Sequence, residues 1–163
     1  MTRESLIEDG FEGFVSIRQL KSDGCEVIPR QMGVYVLLRE KAEPPDFLPA
    51  STGGHSERRG DPSVPEHVLR AKWVNGAVVV YIGKAGATSP SRTLQKRLRE
   101  YVDFGRGKPA RHWGGRLIWQ LADCNELLVA WKIVDKEPRR TEREMIGDFV
   151  LLHGTNPFAN LRS

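Results

Sequence analysis

Residues Val78 to Gly86 read VVVYIGKAG. Valine, tyrosine and isoleucine favour extended backbone, and a run apolar on both faces suits a strand at the centre of a sheet. Asn75-Gly76 just before it is a turn signal, and Gly83 and Gly86 interrupt the run on the other side. The strand closes by presenting a phenol, Tyr81, and an amine, Lys84, close together.

Upstream, GVYVLLRE (Gly33 to Glu40) is a second strand following Pro29. Between the two, residues 41–72 are polar and punctuated by Pro44, Pro45, Pro49, Gly53, Gly54, Gly60, Pro62 and Pro65, which predicts a long loop insertion. A loop of that length inside a compact domain is either functional or disordered. Residues 1–30 read as an N-terminal extension in which GFVSIRQL suits a strand or a short helix equally.

Downstream, RTLQKRLREYV (Arg92 to Val102) has helical spacing, with Leu94, Leu98 and Tyr101 on one face. Arg97 falls on that same side, whereas Arg92, Lys96 and Arg99 point away. ELLVAWKIV (Glu126 to Val134) is a third strand, with Leu127, Val129, Trp131 and Ile133 sharing a face. A last helix starts near Pro138 or Thr141 and ends at His153-Gly154. The pattern is that of an α/β protein of the α+β kind, a small sheet with helices packed on it and no internal repeat.

The chain has 163 residues, which suits a single domain spanning 1–163. No apolar run approaches the roughly 20 residues that cross a bilayer, and the N-terminus lacks the pattern of a secretory signal, so a cytoplasmic address without membrane association is expected. Cys25 and Cys124 have no metal-ligand spacing and are expected to be reduced. The net charge of +4 is compatible with a polyanionic partner. More telling is a run of Arg92, Lys96, Arg97, Arg99, Arg106, Lys108, Arg111 and Arg116, within which Glu100 and Asp103 are the only acids.

The last helix carries the sharpest signal. Met145, Ile146 and Phe149 define its apolar face, and Glu142 projects into that face while Glu144 points to the opposite side. An acid there is expensive to bury without a partner. Thr141-x-x-Glu144 matches a capping box, which accounts for Glu144 but not for Glu142. Arg97 is the corresponding anomaly on the earlier helix.

These residues carry a family resemblance. Gly33-Val34-Tyr35 and Tyr81-Ile82-Gly83, the helical arginine of LQKRL, Glu142 and the asparagine of NPFAN, in that order, resemble the GIY-YIG nucleases over about Gly33 to Asn160. YIGKAG and LQKRLREY are especially similar to the N-terminal nuclease region of the bacterial excision-repair incision enzyme. The resemblance implies a small three-stranded antiparallel sheet flanked by helices, with the Pro/Gly-rich insertion between its first two strands. It also implies a catalytic set of Tyr35, Tyr81, Arg97 and Glu142, supported by Asn160, with Lys84 and His112 as further polar members.

The expected chemistry is metal-dependent hydrolysis of DNA phosphodiester bonds, with RNA also open as substrate. Glu142 is the expected ligand of one Mg²⁺ or Mn²⁺ ion, since Mg²⁺ is bound through one or two carboxylates while keeping several waters. Arg97 suits the scissile phosphate, and Tyr81 is the candidate base for water, its phenol tuned by Lys84 or Arg97. His112 would orient substrate or shuttle a proton, or is a polar turn residue. Trp113 and Trp119 could stack on bases, although core packing is the expected role. Arg92, Lys96, Arg99, Arg106, Lys108, Arg111 and Arg116 would track phosphates.

One site of this kind nicks one strand, so cutting both requires a homodimer or a second visit, and specificity would come from the insertion, the N-terminal segment or an accessory partner. The rival readings are a non-catalytic nucleic-acid-binding module on the same fold and an ordinary globular α/β domain.

Overall fold

The structure, a computed structural model, describes residues 1–55, 60–86, 89, 91–109 and 113–161. Four strands form one antiparallel sheet: β1 (Glu12–Ser16), β2 (Gly33–Leu38), β3 (Val79–Ala85) and β4 (Leu128–Ile133), in the order β1-β4-β2-β3. Helices α1 (Arg3–Glu8), α2 (Ile17–Asp23), α3 (Glu66–Lys72), α4 (Leu94–Gly105) and α5 (Pro138–His153) surround it.

The fourth strand corrects the expectation of three. Its alternation is broken in the sequence because Gly13 and Phe14 both have positive φ and the register shifts between Gly13 and Val15. Its pairing is also remote, with Glu12 opposite Trp131. GFVSIRQL is therefore a strand followed by a helix, Ser16 capping α2 by accepting from the Gln19 N–H. Residues 1–30 are built into the fold, with Leu6, Phe11, Ile17 and Leu20 all in the core.

Strand periodicity divides the core into two layers. Tyr35, Leu37, Tyr81, Val129 and Trp131 face α2, α4 and a 3₁₀ turn at Arg116–Gln120, meeting Leu94, Leu98, Tyr101 and Trp119. Val34, Val36, Leu38, Ile82 and Ala130 face α1 and α5, meeting Leu6, Phe11, Ile146 and Phe149. Each large apolar side chain buried in these layers contributes about 1.5–3 kcal/mol.

Helix α4 starts at Thr93, whose hydroxyl accepts from the Lys96 N–H. Helix α5 starts at Pro138, a residue suited to the first helical position because its missing N–H would have no partner there. Thr141 therefore lies inside the helix and the anticipated capping box does not form; the Glu144 carboxylate instead accepts from Arg140 Nε at 2.8 Å. Gly154, in the left-handed region at φ 72°, ends the helix as its sequence suggests.

The insertion is also more structured than a loop. The Leu48 and Thr52 N–H groups donate to the carbonyls of Gln120 and Trp119, and that of Gly54 to Phe104. The buried Gln120 amide accepts from the Val64 N–H at 2.8 Å and donates to the carbonyls of Leu48 and Val64. Such bonds replace the ladder a free loop lacks. The strap ends in α3, whose Leu69 is fully buried. Cys25 and Cys124 are free and buried, and no helix among the described residues is long and apolar enough to cross a membrane.

Candidate active site at the edge of the sheet

Strand β3 is the outer strand next to β2, and its far side is closed by the C-terminal segment. The Asn160 side chain accepts from the Ile82 N–H at 3.0 Å and donates to the Ile82 carbonyl at 2.9 Å, while the Ala159 N–H donates to the Val80 carbonyl. One amide thus satisfies both backbone groups between Tyr81 and Gly83, as a partner strand would.

On the α4 side, Tyr35 stands opposite Gly83 in register. A Cβ on Gly83 would fall 2.6 Å from the Tyr35 hydroxyl oxygen, so the glycine of the YIG triplet makes room for the tyrosine of GVY. The Tyr35 hydroxyl is thereby brought beside Tyr81 and Arg97, its ring meeting the Tyr81 ring edge-on with centroids 6.0 Å apart. Tyr81 stacks on Tyr101 with ring centroids 5.9 Å apart, and Tyr101 donates to the Gly115 carbonyl. Gly115 adopts φ 77°, and a Cβ there would lie 2.9 Å from the Tyr81 ring, so the ring reaches open space only past a glycine.

On the α5 side lies the carboxylate. Glu142 is 16% exposed and is ion-paired with Lys84, whereas Glu144 is 60% exposed in its pair with Arg140. The helix phase expected for the two acids is the one observed. The expected pairing of Lys84 with Tyr81 is not: Ile82 and Lys84 project toward α5 and Tyr81 toward α4, so the amine meets the carboxylate rather than the phenol.

The two sides meet around the end of β3. A cavity of about 340 Å³ is lined by Tyr81, Lys84, Glu142, Arg97 and Arg92. It borders a cleft of about 1200 Å³ that shares Tyr81, Lys84 and Glu142 and extends over Asn160, Trp113, Arg116, Lys72, Arg139 and Arg143.

Burial raises Tyr81 well above the ordinary phenol range, with the neighbouring Tyr35 acting the same way and Arg97 offsetting only part of it. Arg97 thus favours the phenolate as expected, but burial outweighs it. Burial raises Tyr35 too, but Arg97 and hydrogen bonds from Tyr81 and Arg97 work against it. Burial disfavours the Arg97 charge, but the two phenols and Glu100 outweigh it and its pKa is raised.

Of the expected site residues, Tyr35, Tyr81, Lys84, Arg97, Glu142 and Asn160 converge here. His112 and Arg111 lie outside the described residues. Among the described residues, most of the phosphate-tracking run is met by acids. Arg92 pairs with Glu100 at 2.8 Å, Arg99 with Glu26 at 2.6 Å, and Arg106 and Lys108 both with Asp103. Lys96 stays exposed on α4. Arg116 lines the large cleft, its guanidinium 4.9 Å from the centre of the half-buried Trp113 ring, while Trp119 is wholly core. Arg139, Arg143 and Lys72 are additions; the spacing of Arg139, Glu142 and Arg143 on one helical face was the signal that identifies the first two.

Among the described residues no group of three or more His, Cys, Asp or Glu side chains gathers as a metal cage. Glu142 is a single carboxylate at an open cleft that already attracts the Lys84 ammonium. That donor set fits a hard cation held by one carboxylate, waters and a substrate oxygen. Neither protein-family models, curated proteins nor solved structures match the chain.

Proposed function

We propose that this chain is a metal-dependent endonuclease of the GIY-YIG type that hydrolyses DNA phosphodiester bonds. The observation that carries the reading is the convergence of Tyr81, Arg97, Lys84 and Glu142 on one small cavity, from a single strand and two helices that lie far apart in the chain. The antiparallel sheet flanked by helices agrees with that fold, with β1 as an added strand.

Phosphodiester hydrolysis needs water delivered in line, stabilisation of charge on the phosphoryl oxygens and help for the leaving oxygen. Arg97, beside Tyr35 and lining the cavity, offers a permanent charge and a planar fork to the phosphate. Tyr81, whose ring reaches the cavity, positions water; the fraction of Tyr81 present as phenolate, which grows as pH rises, would take the water's proton and become the neutral phenol. Glu142 would hold one Mg²⁺ or Mn²⁺, which when bound supplies positive charge to the phosphate oxygens. Lys84 keeps Glu142 aimed into the cavity and offers its ammonium to a substrate oxygen. Asn160 fixes the strand from which Tyr81 and Lys84 project.

The test is nicking of supercoiled plasmid with and without Mg²⁺ or Mn²⁺ by the wild type, Glu142→Ala and Glu144→Ala. Metal-dependent nicking that falls by about a thousandfold in Glu142→Ala and is kept in Glu144→Ala is expected. Folded protein that binds DNA but never nicks it would replace the nuclease by a binding module.

A further inference from the structure

Resting on the nuclease reading, we infer that the DNA backbone flanking the scissile phosphate runs along α5, held by Arg139, Arg143 and Lys72, and not along the longer cationic run on and around α4. All three side chains line the large cleft that contains Tyr81, Lys84 and Glu142. Arg139, Glu142 and Arg143 stand at i, i+3 and i+4, so two guanidiniums and the carboxylate present to one space, the outer pair about 6 Å apart along the helix axis. The cleft holds five cations, Lys72, Lys84, Arg116, Arg139 and Arg143, against the acids Glu142 and Asp148.

Pairing separates the two helices further. Among the described residues, no salt bridge engages Arg139, Arg143 or Lys72, whereas Arg99 of α4 and the flanking Arg92, Arg106 and Lys108 all have acidic partners, leaving Lys96 as the exposed α4 cation outside any salt bridge. A guanidinium already bonded to a carboxylate must break that bond to take a phosphate, while an unpaired one trades only water and counterions. The inference also gives the insertion a role. The strap laced to Gln120 and Trp119 ends in α3 and delivers Lys72 to the wall of the cleft.

The test measures binding of a short labelled duplex DNA to the full chain by anisotropy, in EDTA, over a series of NaCl concentrations. Each phosphate contact contributes close to one unit to the slope of log K against log salt. Arg139→Ala/Arg143→Ala is expected to lower the slope by about two and weaken binding about tenfold at fixed salt, and Lys72→Ala to lower it by about one. The Arg139→Lys/Arg143→Lys variant, which keeps both charges, is expected to keep the slope, which separates lost contacts from damage to α5. An unchanged slope in the alanine pair, or an equal loss in Arg99→Ala/Arg106→Ala, overturns the inference. Plasmid nicking by the wild type, run alongside, tells the two failures apart: nicking with binding insensitive to α5 overturns the backbone path alone, and a wild type that neither binds nor nicks overturns the nuclease reading with it.

Discussion

Helices α4 and α5 make an instructive pair. Each turns one charged residue into an apolar face, Arg97 in α4 and Glu142 in α5, and each lines the small cavity through that residue. Their outward charges differ. On and beside α4, Arg99, Arg92 and Lys108 are met by Glu26, Glu100 and Asp103 while Lys96 stays exposed, whereas Arg139 and Arg143 of α5 look into an open cleft. A count of cations along a chain therefore says little about a field at the surface. What matters is which acids the fold brings opposite, and Glu26 reaches Arg99 from a distant part of the sequence. Exposed pairs of this kind add at most about 1 kcal/mol to stability, yet they remove a cation from the pool available to a phosphate.

The comparison breaks first at Arg97. If that side chain alone on α4 does chemistry, Arg97→Ala should lower the rate of plasmid nicking by about a thousandfold or more, as loss of a phosphate-stabilising arginine does. Arg97→Lys should recover little, because an ammonium cannot bond Tyr35 and a phosphate with one planar fork. A comparable loss in Arg99→Ala would erase the distinction between the inward and outward cations of α4.

A smaller effect sharpens the division at Tyr81, which stands between the two helices. Removing its hydroxyl in Tyr81→Phe should slow nicking by about a hundredfold. Burial raises both phenols, so their deprotonated fraction keeps growing as pH rises through the ordinary phenol range. The wild-type pH–rate profile should accordingly climb above neutrality without levelling before about pH 10, the ordinary phenol pKa. Tyr81→Phe should lose that climb; a wild-type profile flat from neutral pH upward would remove the tyrosine pair from proton transfer.

The smallest effect belongs to the seam itself. Asn160→Ala leaves the Ile82 N–H and carbonyl without their side-chain partners. The expected loss is about 1–3 kcal/mol, which lowers the thermal midpoint by roughly 5 °C in a chain of this size. An unchanged midpoint would mean that β3 is held by β2 alone.

Much of the scaffold was legible because its signals are local. The apolar runs around Val36, Ile82 and Ala130 became strands, and the wheel positions of Leu98, Ile146 and Phe149 became buried helix faces. The inward phase of Glu142 was readable for the same reason, since side-chain direction follows from 3.6 residues per turn once a helix exists. Strand β1 was not, because a bulge with two consecutive positive-φ residues hides its alternation. The capping box at Thr141 failed because proline at position 138 starts the helix a turn earlier.

The sequence by itself determined the three longer strands, both amphipathic helices and the identity of the inward charges, all set by periodicity and backbone sterics. Only the tertiary structure decided who meets whom. Lys84 faces Glu142 and not Tyr81, because alternate residues leave β3 on opposite sides. Tyr35 reaches Arg97 because Gly83 stands across from it. Arg99 of α4 is neutralised by Glu26 while Arg139 and Arg143 of α5 are not, because an ion pair is fixed by proximity in space, and such proximity between distant segments exists only once the sheet has assembled.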